Sequence, residues 1–278
     1  MVNMTAHPSI VVVSDVHCGS IMAPWPDGHP VEGGGEYRSN KPQKWLTRCW
    51  DDMVQTVSAM PAPPILVLNG DLVQGSHAHR DGQLVSGQLS IQCGAAGDLL
   101  SPLVKLCRVL YVIRGSEWHD GRAAESIEAL AESLGAVQDP DTQAFTRWGL
   151  YLDLGGRVIH FAHHRSVTSL PYTQPNSLFR DGYIQQAELL NTYGGRAPNL
   201  QAVIRSHSHQ YSQAHSHSNL TTATTPSWQL MTAYVAKRYP ASLAHIGWLE
   251  IVPTESRLIV EPHLYPLPRP AIVKVEVA

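Results

Sequence analysis

The sequence predicts an α/β protein in which two facing sheets are flanked by helices, and three observations predict it. Five short apolar runs, Ile10–Val13, Ile65–Asn69, Val109–Ile113, Val158–Ala162 and Ala202–Ser206, are rich in β-branched residues and have the length of strands buried on both faces. Stretches of helical spacing separate the first three runs, which is the βα alternation of an open sheet. Beyond residue 145 that alternation gives way to short strands, which calls for a second sheet.

The elements follow in order. Residues 18–42 carry Pro24, Pro26, Pro30 and Gly33-Gly34-Gly35, so they read as an irregular loop inserted after the first strand, a wall or lid over a site. Gln43–Met60 reads as a helix with Trp45, Leu46, Cys49, Trp50, Met53, Val54 and Val57 on one face, stopped by Pro61, Pro63 and Pro64. Further helices are predicted over Ser86–Cys107 and over Ala123–Leu134, where Gly135 ends the pattern. Phe145–Leu154 and Arg157–Ala162, joined by Gly155-Gly156, suggest a β-hairpin. Asn176–Tyr193 reads as a helix, residues 210–226 as a polar stretch, and Gly247–Ile251 and Leu258–Tyr265 as strands. Neither an internal repeat nor a composition break divides the chain, so residues 1–278 are expected to form a single domain.

Composition bounds the function. A formal net charge of −3 gives no global basic field, which argues against a tightly held duplex nucleic acid. Cys18, Cys49, Cys93 and Cys107 show no paired spacing, as expected of free thiols in a reducing compartment, and Cys18 reads as a small buried residue. The first nine residues lack the pattern of a secretory signal, and no apolar run is long enough to span a bilayer, so a soluble cytoplasmic protein with no membrane partner is expected. Histidine stands out, with 15 residues, many of them near strand ends.

Those strand ends carry the chemistry. The first run closes with Asp15 and His17, the second with Gly70-Asp71, the third with Arg114-Gly115-Ser116-Glu117-Trp118-His119-Asp120, the fourth with His163-His164, and the fifth with His207-Ser208-His209. Ligands collect at the carboxyl ends of such strands, where loops and helices diverge and leave a crevice. Carboxylates and imidazoles gathered there are metal ligands by type, and the absence of thiolates from the set suits Mn, Fe or Zn rather than a structural zinc site.

In order and spacing, Asp15-Val16-His17, Asn69-Gly70-Asp71 and His207-Ser208-His209, with the glycine-and-histidine turn and the histidine between them, resemble the calcineurin-like metallophosphoesterase family over residues 9–210. The resemblance implies a four-layer αββα sandwich and two divalent metal ions. One ion would be held by Asp15, His17, Asp71 and His209, the other by Asp71, His163 and His207. A carboxylate can bridge two ions and an imidazole cannot, which makes Asp71 the candidate bridge. His163 is taken as the family's lone histidine; His164 becomes a second-layer or substrate-facing residue, and His160, on the opposite strand face, a core residue.

The third strand end departs from the family's Gly-Asn-His-Asp/Glu pattern. Serine stands in the asparagine position and two more residues precede the histidine, so Ser116, Glu117 or His119 is left to complete the second metal site. His119 is favoured as the acid/base or phosphate-contacting residue, because Gly115-Ser116-x-x-His119 resembles a variant in phage-encoded members of the family, as does the stretch from Gln43 to Trp50. A phage-encoded protein would act in the host cytoplasm. Arg114, Arg165, His77 and Arg80 are candidate phosphate contacts, with salt bridges or a solvated loop as the alternatives; His215 and His217 fit a surface strand.

The function these readings imply is hydrolysis of phosphate mono- or diesters by water activated on the two ions. The partner is then a phosphate-ester substrate. A nuclease, for which nucleic acid is the substrate, and a catalytically weakened metal-binding scaffold are the alternatives. A metallo-β-lactamase-type hydrolase is set aside because its His-x-His-x-Asp-His string is absent.

Overall fold

A computed structural model describes residues 7–76, 83–121, 124–165, 173–216, 219–238 and 243–268. Strands β1 (Ile10–Val13), β2 (Ile65–Asn69), β3 (Val109–Ile113) and the two-residue β4 (Thr146–Arg147) lie parallel in that order. On the other side of β1, β10 (Ile246–Pro253) and β11 (Leu258–Tyr265) extend the sheet antiparallel, giving six strands. The second sheet has five, in the order β5 (Leu150–Asp153), β6 (Val158–Phe161), β7 (Leu200–Arg205), β9 (Thr221–Thr224) and β8 (Ser212–His215), with antiparallel strands at both edges.

Strand alternation sets the layers. Ile10, Val12, Val67 and Ile113 face Ile159, Phe161, Ala202 and Ile204 across the gap between the sheets. Val11, Val13, Leu66, Leu68 and Val112 point the other way, into a core made with α1 (Lys41–Ser58), α2 (Leu89–Val104) and α4 (Glu125–Ser133). Val158, Val203 and Leu200 of the second sheet pack with Leu189 of α5 (Gln174–Tyr193). Each such aliphatic, fully buried, contributes about 1.5–3 kcal/mol. The expected helix–sheet–sheet–helix sandwich is therefore present, and it sets the carboxyl ends of β1, β2 and β3 against those of β6 and β7.

Several local expectations are revised. Helix α1 starts at Lys41, not Gln43, because Asn40 and Gln43 form a capping box: the Gln43 N–H donates to Asn40 Oδ1 and the Asn40 N–H to Gln43 Oε1. Phe145–Leu154 is not one hairpin arm. Glu128 of α4 accepts the N–H groups of Phe145 and Thr146, and Thr146–Arg147 adds to β3 in the first sheet before the chain crosses to β5 in the second. The polar stretch after His209 contains β8 and β9, whose threonines are buried. The inserted loop 18–42 buries Trp25 in the helix-side core and pairs His29 with Asp98 of α2 at 2.7 Å, while Cys18, Ile21 and Met22 bond the backbone of Leu72, Gln83 and Leu230. Two short helices had no sequence signal, α3 (Glu117–Asp120) and α6 (Ala233–Arg238).

Candidate metal centre

Asp15 follows β1, Asp71 follows β2, His163 follows β6, and His207 and His209 follow β7. Five of the proposed ligands adopt the left-handed backbone conformation: Asp15 (φ 51°), His17 (49°), Asp71 (51°), His207 (71°) and His209 (56°). That conformation costs a non-glycine residue about 1–2 kcal/mol. Such strain concentrates where a side chain must be aimed. Here it turns each ligand off its strand toward the gap between the sheets.

Two groups of ligand atoms result. In the first, His17 Nε2 lies 3.0 Å from His209 Nε2, and Asp15 Oδ1 lies 3.3 Å from His209 Nε2 and 3.8 Å from His17 Nε2. In the second, His163 Nε2 lies 3.1 Å from Asp71 Oδ2 and 3.3 Å from His207 Nδ1, which is 3.8 Å from the same oxygen. Asp71 and His17 also share a group with His119, so Asp71 belongs to two of the groups.

These separations fit shared ions. Donors each about 2.1 Å from one ion stand roughly 3–3.5 Å from one another. The buried Oδ1 of Asp15 has no hydrogen-bond partner, although it faces two imidazole nitrogens. A buried carboxylate oxygen in that position costs stability unless a cation completes it.

The carboxylates are held from behind in the same way. Asp15 Oδ2 accepts from the Ser14 hydroxyl at 2.6 Å and from the His207 N–H at 3.3 Å, leaving Oδ1 for the centre. Asp71 Oδ1 accepts from the Ser116 N–H at 2.7 Å and its hydroxyl at 3.1 Å, leaving Oδ2. His163 Nδ1 donates to the Asn69 carbonyl at 2.8 Å, which presents Nε2 as the ligand atom. Glycines admit the close approaches: a Cβ at Gly70 would collide with the His163 ring and one at Gly115 with the Asp71 carboxylate.

Electrostatics follow from burial and pairing. Burial would raise the Asp71 carboxyl, but the charge of His163 and hydrogen bonds from His163 and His207 outweigh it and hold the group well below the usual carboxylate range. Asp15 is held low in the same way, against burial, by His17, His209 and His163. Burial and then the neighbouring His119 depress His17 to about 3. His163 rises to about 10, because Asp71 overcomes the burial that opposes it. Burial and then Asp71 push Asp120, the buried last residue of α3, up to about 7.

The remaining sequence candidates are placed as follows. His119 Nδ1 donates to the Gln74 carbonyl at 2.6 Å, and Nε2 faces the centre 3.9 Å from Asp71 Oδ2. Ser116 lies against Asp71 as its hydrogen-bond donor. His164 is exposed at the rim, its ring 5.2 Å from that of His163 and 5.4 Å from that of His207. Arg114 is not brought to the site by its contacts: Nε donates to Thr146 Oγ1 at 2.8 Å, the guanidinium is 3.7 Å from Glu128, and it lies over the Trp148 ring. The charge of Arg165 faces Asp181. His160 is buried and accepts from Arg205 at Nδ1 (3.1 Å), as a core residue should. His77, Arg80 and His217 lie outside the described residues. Sequence reasoning passed over Ser14, Thr225, Ser206 and Gln74, which touch candidate ligands or their supports; Ser14 and Ser206 directly precede Asp15 and His207, whereas Thr225 has no candidate ligand beside it in sequence.

No family model matches the sequence, and no curated protein sequence matches it. Among solved structures the chain is similar to a dimetal phosphatase from Danio rerio, at 11% identity over 92% of this chain and 96% of that one, with a TM-score of 0.48. It is also similar to a predicted phosphoesterase from Streptococcus pneumoniae, at 13% identity over 94% of this chain and 95% of that one, with a TM-score of 0.40. A third similar structure is Vacuolar Protein Sorting 29 from Cryptosporidium parvum, at 8% identity over 94% of this chain and 98% of that one, with a TM-score of 0.41. The reading of the site rests on its own geometry. In its two-sheet fold and in the order of its ligand motifs, the chain resembles the calcineurin-like metallophosphoesterases.

Proposed function

We propose that this protein is a metal-dependent hydrolase of phosphate esters with a dinuclear centre. The observation that carries the reading is the meeting of two ligand groups, Asp15/His17/His209 and Asp71/His163/His207, with Asp71 also joined to His17 and His119. Two divalent ions bound there would neutralise phosphoryl charge and make water nucleophilic at neutral pH. Mn, Fe and Zn all suit the nitrogen and oxygen donors.

The chain's own groups supply the rest. Ser116 locks Asp71 through Oδ1 so that Oδ2 stays aimed into the centre. His119, its Nδ1–H spent on the Gln74 carbonyl, presents Nε2 to a phosphate oxygen or to the departing alkoxide, to which a protonated imidazole gives its proton. His164 stands at the rim where an ester substrate would enter. A second role for His119 is supported by its place in the His17/Asp71/His119 group: it can be a metal ligand beside His17, on the side of the first ion.

Mono- and diesters, nucleic-acid phosphodiesters included, are the substrate classes this centre would serve. The four cysteines are free thiols, which supports a reducing, cytoplasmic setting. Among the described residues no helix is long and apolar enough to cross a membrane.

The test is hydrolysis of p-nitrophenyl phosphate and bis(p-nitrophenyl) phosphate by the protein supplied with Mn²⁺, Fe²⁺ or Zn²⁺. Turnover that appears with metal and disappears with chelator is expected. Metal binding without turnover of either ester would support the scaffold alternative instead.

A further inference from the structure

Beneath the centre a chain of polar side chains joins the two sheets. Ser14 Oγ lies 2.6 Å from Asp15 Oδ2 and 2.5 Å from Thr225 Oγ1, which is 2.9 Å from Ser206 Oγ; that oxygen accepts from Asn69 Nδ2 at 2.6 Å. Ser14 and Asn69 end strands of the first sheet, whereas Ser206 and Thr225 end strands of the second. All four side chains are fully buried. Three of the four lie within two residues of a candidate ligand: Ser14 precedes Asp15, Ser206 precedes His207, and Asn69 lies two residues before Asp71. Thr225 has no ligand neighbour in sequence and sits at the middle of the chain.

Proton counting fixes the direction. A carboxylate only accepts, so the Ser14 hydroxyl must donate to Asp15. Its oxygen then has to receive a proton, and only the Thr225 hydroxyl can supply it. The same Thr225 hydroxyl also points at Ser206 Oγ, to which it donates at 2.9 Å, and that oxygen accepts from the Asn69 amide as well. Thr225 is thus the donor shared between Ser14 and Ser206, and the branch through Ser14 ends on Asp15. Such a chain polarises each of its members and strengthens the last bond.

We infer that Thr225 is a positioning residue for the metal site built on Asp15. Resting on the metal-centre reading above, this assigns it the task of holding the Ser14 donor on Asp15 Oδ2, so that Oδ1 remains aimed at His17 and His209. Thr225 also ties this aim to the spacing of the sheets, since Asp15 and His209 come from different ones. Replacing it by valine keeps the shape and removes the only proton available to Ser14 Oγ.

The experiment is a competition titration of Mn²⁺ and Zn²⁺ against a chromogenic chelator, on wild type, Thr225→Val, Thr225→Ser and Ser14→Ala. Thr225→Val should weaken one of the two ions by about 10–100-fold, the usual effect of losing a ligand's supporting partner, and leave the other within about threefold. Thr225→Ser should restore both. The double variant Ser14→Ala/Thr225→Val should bind no worse than Ser14→Ala alone, because Thr225 acts through Ser14; where Thr225→Val fails to fold, Ser14→Ala must by itself show the selective loss. Equal weakening of both ions, no weakening, or additive losses would overturn the assignment while leaving the metal centre intact. A wild type that binds no ion would overturn both.

Discussion

Asp15 Oδ1 and His209 Nε2 stand 3.3 Å apart although one residue follows a strand of the first sheet and the other a strand of the second. The Asp71–His163 pair, at 3.1 Å, spans the same gap. Each ligand group is therefore completed only when the sheets pack, and ions that hold these groups bind the folded chain and not the unfolded one. Metal at about 100 times its Kd should stabilise the fold by ~2.7 kcal/mol per site. Thermal unfolding with and without chelator checks this: a Tm indifferent to Mn²⁺ and Zn²⁺ would count against the centre.

His119 separates two roles. Replaced by alanine, it should cost about 10²–10⁴-fold in turnover if it handles the proton or phosphate, with two ions still bound per chain. The loss should be larger for alkyl phosphates, whose leaving group needs a proton, than for p-nitrophenyl phosphate. If elemental analysis instead finds one ion missing, His119 is a ligand.

Two glycines test the placement of α3. A Cβ at Gly75 would fall 2.8 Å from the His119 carbonyl oxygen and 3.1 Å from its Cα, whereas one at Gly115 would fall on the Asp71 carboxylate. Gly75→Ala should displace the Trp118–His119 backbone and not Asp71, lowering turnover by up to about 10²-fold with metal content unchanged. Gly115→Ala should displace Asp71 and empty both sites. Identical outcomes for the two variants would refute the geometry.

His160 predicts a pH effect away from the centre. Burial, and then the Arg205 charge, lower its pKa from 6.5 to about 3. The folded state thus keeps it neutral where the unfolded chain protonates it. Its contribution to stability is complete above pH 6.5 and is lost as pH falls from about 6.5 toward 3, with a slope near ~1.4 kcal/mol per pH unit. His160→Asn, which keeps an acceptor for Arg205, should flatten the acid limb of urea-unfolding free energy between pH 6 and pH 4. An unchanged slope would show that His160 does not titrate between the two states.

The legible parts of the chain were those where one physical demand acts on neighbouring residues. Runs such as Ile10–Val13 read as strands because burial on both faces requires consecutive apolar residues, and the candidate ligands stood out because each follows such a run. What was hidden depends on partners far along the chain. Thr221–Thr224 passed for a polar stretch, since nothing local shows that its side chains will be buried and that Thr221 and Thr224 will bond to His215 and Gln210 of the neighbouring segment. Thr146–Arg147 is too short to carry a period, and its strand state is imposed by Glu128 and β3. The left-handed backbone at Asp15, His17, Asp71, His207 and His209 leaves no pattern, although it aims the site. Arg114 read equally as a phosphate contact or a salt-bridged residue, and its partners Glu128, Thr146 and Trp148 lie too far along the chain to be foreseen.

The most direct test of a dinuclear centre bridged by Asp71 is the number of metal ions per chain, measured by elemental analysis after dialysis, on wild type and on Asp71→Asn. Two ions per wild-type chain are expected, and the variant should lose both, with turnover down on the order of 10³-fold or more. One ion in wild type, or two retained after Asp71→Asn, would contradict the shared bridge.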